Sequence, residues 1–179
     1  MAALTTRMLR AARLDAALYE EVEADSSATR QAVVVVILYA VAAGIGNLAA
    51  GGVKGLFVGT LSALVTWYIW ALITYVIGTK LLAEPQTEAS MGQLLRTIGF
   101  AASPGIITVF AFIPVLGVLI KVVAVIWMLV AMVVGVRQAL DYTSTGRAVL
   151  VCVIGWVFYL IVSLGVAAVM GIGGVLLGG

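Results

Sequence analysis

The sequence contains no histidine and only one cysteine, Cys152. Without histidine, the chain lacks the side chain that most often serves as a general base and most often binds transition metals. A single cysteine excludes an intrachain disulfide and a cysteine metal site, and Cys152 lies inside an apolar run. We therefore predict no catalytic residue, no cofactor-binding residue, no metal ligand and no enzymatic activity.

Charged residues are also scarce. Only 10% of the residues are charged while 64% are hydrophobic, and the mean hydropathy is +1.22. This composition excludes a soluble globular domain. Within 179 residues there is room for one helical membrane bundle and for no second large domain. We predict an all-α fold, a polytopic membrane bundle of five transmembrane helices with an N-terminal amphipathic cytoplasmic helix.

Proline occurs three times, and Pro104 and Pro114 both fall in a long apolar run whose only charge is Lys121. Pro114 predicts a tight turn between two hydrophobic helices, 97–113 and 117–140. A helix needs roughly 20 apolar residues to cross the hydrocarbon core. The span 97–113 is therefore barely long enough, and Pro104 removes one of its backbone hydrogen bonds. Such a span is stable only when it is packed, so we expect this pair of helices at the centre of the bundle.

The other apolar runs complete a predicted membrane domain that covers residues 28–177. Gly51 and Gly52 mark a short turn after the first span, and two polar connectors separate later spans. The predicted spans are 28–48, 55–82, 97–113, 117–140 and 148–177, and the predicted connectors are 49–54, 83–93 and 141–146.

Residues 1–27 form the only substantial polar segment, and charges that continue to Arg30 argue against a signal peptide. Two interpretations fit this segment. The favoured one is an amphipathic helix on the anionic cytoplasmic leaflet, with Arg7, Arg10 and Arg13 facing lipid headgroups. The other is a helix packed against the cytoplasmic loops of the bundle itself. In both, one helical face carries the apolar residues Leu4, Met8, Ala11, Leu18, Tyr19 and Val22.

The positive charges predict the orientation of the chain. Eight lysine and arginine residues fall in the N-terminal segment and the two polar connectors, whereas the other side has only Lys54 and Lys121. Because cytoplasmic loops carry the excess of positive charge, the N-terminus is expected in the cytoplasm and the C-terminus outside. The expected location is a prokaryotic plasma membrane.

Lys121 and Ser103 are the candidate functional side chains inside the spans. Lys121 lies one turn into its span, so its ammonium can extend to the outer interface, and a binding or gating role is the alternative. A nucleophilic pair of Ser103 with Lys121 is not expected, because the two residues fall near opposite membrane surfaces. Ser103 is instead expected to hydrogen-bond backbone groups freed by Pro104.

Arg96, Arg137, Arg147 and Asp141 are expected to cluster where the third and fourth spans meet the cytoplasm. Three guanidinium groups beside one carboxylate could contact an anionic lipid headgroup or an acidic patch on a partner protein. The alternative is ordinary anchoring of the spans by cytoplasmic arginines.

The sequence resembles the Yip family, and in particular its prokaryotic branch, over residues 28–177. Members are five-span membrane proteins named for their interaction with Ypt/Rab GTPases. The eukaryotic members carry a cytoplasmic Asp-Leu-Tyr-Gly-Pro signature that is absent here, so the resemblance does not extend to GTPase binding. The residues that carry it are Arg96, Gly99, Phe100, Pro104, Pro114, Gly117, Trp127 and Arg137.

The resemblance implies a membrane-organising or trafficking adaptor with a protein partner at its cytoplasmic face. A small transporter or channel is one alternative, because the proline-broken third span would place irregular backbone inside the membrane. An accessory subunit of a larger membrane complex is another, and small residues spaced four apart also suit homo-oligomers. No partner other than the lipid bilayer and such proteins is expected, and nucleic acid is excluded.

Overall fold

The computed structural model describes residues 3–177, without the side chains of 49–51, 162, 163 and 165–177. The described chain is helical and contains no strand. Its helices are α1 (Leu4–Ala12), α2 (Ala16–Ala24), α3 (Ala28–Gly46), α4 (Leu48–Val76), α5 (Met91–Ala101), α6 (Leu116–Ala139) and α7 (Thr145–Leu177), with a π-helical turn at Ile77–Leu81 and a 3-10 segment at Ser103–Phe110.

Several of these helices are long and apolar enough to cross a membrane. Four stretches meet both conditions, namely Ala28–Gly46, Gly52–Leu81, Met91–Phe110 and Leu116–Ala139. The fifth, α7, contributes the apolar stretch Thr145–Ile161 from the part of the helix whose side chains are described. The predicted all-α membrane bundle is confirmed.

Of the four long apolar spans in the described part of the chain, the third is the most buried. In its most apolar 18 residues 61% are buried, against 33% in the first span and 17% in the fourth. The expectation that both helices would be central is therefore wrong for the second of them. α6 presents one narrow stripe of small residues to the interior, including Ala124 and Ala131, and exposes most of its larger side chains.

The third span begins earlier and breaks sooner than predicted. The Ser90 side chain accepts from the Gln93 backbone N–H, and the Gln93 side chain accepts from the Ser90 N–H, so a capping box starts α5 at Met91. Polar residues in the predicted connector are thus the first turn of the helix. Pro104 has no N–H, and the chain continues beyond it as the tighter 3-10 segment.

Glycine has a structural role at two points of the bundle, one a close contact and the other a break in a helix. A Cβ at Gly99 would lie 2.8 Å from the Cβ of Ala32, so α5 packs directly on α3. Near the start of α4, Gly52 has φ 56° and ψ −168°, which is outside the helical region, so the helix is interrupted there at a residue that tolerates positive φ. The predicted turn 49–54 coincides with this break, and the membrane-spanning part of α4 begins at Gly52.

The N-terminal segment forms two helices rather than one. α1 ends before Leu14, which has φ 61°, and the Asp15 side chain then caps α2 by accepting from the Ala17 N–H at 3.1 Å. The predicted apolar face is buried inside the protein against α3, α5 and α6. Ala11, Leu18, Tyr19 and Val22 are fully buried and share a core with Ala28, Ala32, Val35, Phe100 and Ala131.

Candidate functional site

The polar residues of the chain gather at one end of the bundle, which we call the polar end. It consists of α1 and α2, the connector 82–90 and the connector 140–144. The Gln138 side chain donates to Glu20 at 2.9 Å, which joins α6 to α2. The Gln86 side chain donates to the Asp141 carbonyl at 3.1 Å, which joins the two connectors.

Arg7 is the centre of a buried polar network at this end. Its guanidinium donates to Glu21 at 3.0 Å, to Asp25 at 2.9 Å and to Gln31 at 3.0 Å, and its side chain is 4% exposed. Burial would lower the pKa of Arg7, but the two carboxylates keep that pKa above its ordinary value. The expected contact of Arg7 with lipid headgroups is wrong for this structure, because all its donors face α2 and α3.

Arg10 has a similar internal role. Its guanidinium donates to Asp15 at 2.7 Å and to Glu21 at 2.6 Å, so it ties α1 to the start and the middle of α2. The hydrogen bonds from Arg10 and Arg7 lower the pKa of Glu21 below its ordinary value. Of the three arginines predicted to face lipid, Arg13 is the one that lies exposed.

Arg96 caps the end of α2 from the third span. Its Nε donates to the Val22 carbonyl at 2.8 Å, its Nη2 donates to the Glu23 carbonyl, and the residue is 8% exposed. Terminal carbonyls of a helix lack intrahelical partners and carry partial negative charge, so a guanidinium there is favourable. The sequence resemblance singled out Arg96, but no sequence pattern connected it with α2.

The other predicted arginines do not join Arg96 in one cluster. Arg137 donates to the carbonyls of Tyr142 and Thr143, both at 3.2 Å, and so closes the connector that follows its own helix. Arg147 forms an ion pair with Glu84 at 3.1 Å and so ties α7 to the connector 82–90. The expectation of three arginines around Asp141 is therefore wrong, because each guanidinium binds a different part of the polar end.

Glu23 is a functional candidate that sequence reasoning did not single out. It accepts from the Gln93 side chain at 2.8 Å. Burial, together with the negative charge of Asp141, raises the pKa of Glu23 to about 7. Its sequence neighbours are equally acidic, so no pattern marked it; its environment arises only when α2 packs on α5.

The tip of the α1–α2 hairpin reaches far along α6. Trp127 lies about midway along α6, and its indole N–H donates to the Ala12 carbonyl at 2.7 Å. Side chains on a helix lean toward its N-terminus, so Ala12 lies no nearer the polar end than Trp127 does. The tip of the N-terminal hairpin therefore extends from the polar end down the side of the bundle.

The opposite end, which we call the lysine end, consists of the α3–α4 junction and the turn at 111–115. There the Lys121 ammonium donates to the Asn47 side-chain oxygen at 2.6 Å, and the Asn47 amide donates to the Ala43 carbonyl at 2.7 Å. Ser103 lies elsewhere, in the break of the third span. Its buried hydroxyl has no hydrogen-bond partner among the described residues, so the expected bond to freed backbone does not form.

The sequence model of the Yip1 domain matches residues 16–173. No curated protein and no solved structure matches the chain. The match covers all five apolar stretches and begins at the first residue of α2, so it includes part of the N-terminal hairpin. The predicted resemblance to the Yip family is confirmed. The chain therefore belongs to the Yip1-domain family, a family of non-enzymatic membrane proteins.

Proposed function

We propose that this protein is a non-enzymatic membrane-organising adaptor of the trafficking type, and that its polar end receives a protein partner in the cytoplasm. The observation that supports this proposal is the construction of the polar end. Four separate parts of the sequence meet there and are joined by hydrogen bonds from Arg7, Arg96, Arg137 and Arg147. A preassembled polar surface costs little ordering entropy when a partner binds.

The orientation we propose is the one predicted from charge. Eight lysine and arginine residues lie in the polar end or in the ends of the spans next to it, and two lie at the lysine end. This distribution supports a cytoplasmic N-terminus and a C-terminus outside a prokaryotic plasma membrane. Reporter fusions after Thr87 and Tyr142 should then report cytoplasm, and a fusion after Gly52 should report the outside. The reverse pattern would contradict the cytoplasmic assignment of the polar end.

The structure sharpens the choice of contact residues. Three of the arginines donate hydrogen bonds to groups inside the protein, namely Arg7, Arg10 and Arg96. Asp141, in the connector 140–144 of the polar end, is exposed and so remains available to a partner. Arg13 is also exposed, but it follows Ala12 at the tip of the hairpin, away from the polar end. We propose Asp141 as the first contact residue of the face.

The experiment is affinity purification from native membranes in mild detergent, with mass spectrometry of the proteins retained. Asp141→Lys reverses an exposed charge at the polar end and should reduce retention of partners while the protein still folds. Lys121→Met removes a charge at the lysine end and serves as the control, which should retain the same partners. Retention unchanged by Asp141→Lys would contradict a partner at this face.

A small transporter is the second candidate, and the break of the third span at Pro104 favours it. Its function would depend on Lys121, because the spans contain no acidic residue. Flux of ions or small solutes through proteoliposomes, abolished by Lys121→Met, would support the transporter over the adaptor.

A further inference from the structure

A groove of about 590 Å³ runs along the interior face of α3 and α4. Most of its lining is apolar and includes Tyr39, Leu56, Trp67, Met128, Leu129 and Trp156. Gly55 and Gly59 of α4 and Leu129 of α6 line it and are also exposed, so the groove opens between these two helices. Its volume falls among those of sites that enclose small ligands, about 300–1,000 Å³.

We propose that this groove binds one acyl chain of a membrane phospholipid whose phosphate is held by Lys121 at the lysine end. The opening faces the surroundings of α4 and α6, both of which are long and apolar enough to span the bilayer. An apolar groove does not hold ordered water. In a bilayer, the molecules that meet such an opening are the acyl chains of lipids.

The length of the groove suits an extended chain. Gly55 and Trp70 both line it, and they lie in one helix. Their separation along the helix axis is about 22 Å at the normal rise per residue. One leaflet contributes about half of a hydrocarbon core of roughly 30 Å. An acyl chain that enters at the lysine end and reaches the middle of the bilayer can therefore lie along about two thirds of the groove.

The charge of the lysine end matches a phosphate. Asn47 lines the groove, and the Lys121 ammonium lies 2.6 Å from its side-chain oxygen. Lys54 lies between Gly52 and Gly55, which also line the groove. All eight acidic residues of the chain fall within 15–25, 84–88 and 141, so this end has two lysines and no acidic side chain. The anion that complements them is the phosphate of a lipid headgroup.

Binding can be measured by native mass spectrometry of the purified, delipidated protein after addition of phosphatidylglycerol. Lys121→Met should weaken binding about fivefold, the effect of one cation beside an anionic lipid surface. The matched control is Lys80→Met, which removes a lysine near the polar end and should leave binding unchanged. Glycerol phosphate, which has no acyl chain, should not compete even in excess.

Gly59→Leu tests the groove itself. A Cβ at Gly59 meets no atom within 4 Å, so a leucine side chain fits there and fills the groove. Leucine also has a higher helix propensity than glycine. Lipid binding should be lost while the thermal unfolding temperature is kept. The control is Val58→Leu, on the exposed surface of the same helix. Gly55→Leu, where a Cβ also meets open space, provides a second filling variant.

Three results would overturn the proposal. One is the absence of phospholipid binding to the wild-type protein. Another is binding that neither Lys121→Met nor the filling variants reduce. The third is a dimer that Gly59→Leu converts to a monomer without bound lipid, which would make the groove an interface between two copies. None of these results bears on partner binding at the polar end, so the proposed adaptor function is tested separately.

Discussion

The two ends of the bundle are held together by different kinds of contact. At the polar end, guanidinium groups bridge elements that are distant in sequence, as Arg96 does when it binds the carbonyls at the end of α2. At the lysine end, backbone approaches backbone. Gly46 is buried against the Thr108 carbonyl, and Gly117 lies against the Ala111 carbonyl. Long side chains tolerate small displacements and glycine contacts do not, so a single substitution should be more damaging at the lysine end.

The largest effect is expected from Gly46→Leu. A Cβ at Gly46 would overlap the Thr108 carbonyl oxygen, which belongs to the backbone and cannot turn aside. Overpacking of this kind costs about 1–3 kcal/mol, and more when backbone must move. Thermal unfolding in mild detergent measures it. Gly55→Leu is the control, because a Cβ there meets open space. Equal loss of stability in both variants would show that leucine itself, not the close contact, is responsible.

A smaller loss is expected from Arg7→Met at the polar end. The substitution removes three hydrogen bonds, two of them to carboxylates. Each hydrogen bond to a charged group contributes about 1.5–3 kcal/mol when it is buried. Glu21 and Asp25 are 34% and 27% exposed and regain water, so the total loss should be about 2 kcal/mol. Arg13→Met, at an exposed position, should cost almost nothing in the same unfolding assay. A stable Arg7→Met protein would mean that the apolar core alone fixes the hairpin.

Glu23 should make the stability of the polar end depend on pH, and the lysine end has no such group. Its pKa is raised to about 7 in the folded protein, so the folded state binds this proton more tightly than the unfolded state does. The resulting contribution to stability is complete below the unfolded pKa and is lost as the pH rises toward 7. Glu23→Gln keeps an acceptor for Gln93 and should remove this loss.

The measurement for Glu23 is the difference in unfolding temperature between the wild type and Glu23→Gln from pH 4.5 to pH 7.5. The difference should grow in favour of the variant as the pH rises. Glu21 and Asp25 have lowered pKa values, and they act in the opposite direction at more acidic pH. Because both proteins share those groups, they cancel in the difference. Curves that stay parallel across this range would show that Glu23 has the same pKa in the folded and the unfolded protein.

The spans could be predicted from sequence because their signal is local. Long apolar runs, Pro104 and Pro114 indicate membrane helices and their breaks without knowledge of any neighbour. The start of α5 was missed because Ser90 and Gln93 look like connector residues until their side chains cap a helix. The roles of Arg7 and Arg96 could not be predicted, since both bind groups on other helices. Periodicity showed which residues of α2 are apolar but not whether protein or lipid covers them.

The smallest effect is expected from Pro104→Ala, in the break that separates the two kinds of packing. One gain and two losses determine the change in the free energy of unfolding. The new N–H can gain one hydrogen bond, which contributes about 1 kcal/mol. The ring of Pro104 is fully buried, so its loss leaves a small cavity that costs about 1 kcal/mol. Proline also restricts the unfolded chain, which contributes about 0.4–1 kcal/mol.

Pro104 lies in the first turn of the 3-10 segment, where an N–H has no partner within the helix, so the gain should not exceed the losses. The net change in the free energy of unfolding should therefore be within about 1 kcal/mol of zero. Pro114→Ala in the exposed turn is the control, and it loses the chain restriction without the cavity. Stabilisation of Pro104→Ala well beyond this range would mean that the third span continues as an α-helix once the proline is removed. The break would then be imposed by one residue rather than by the glycine contacts of the lysine end.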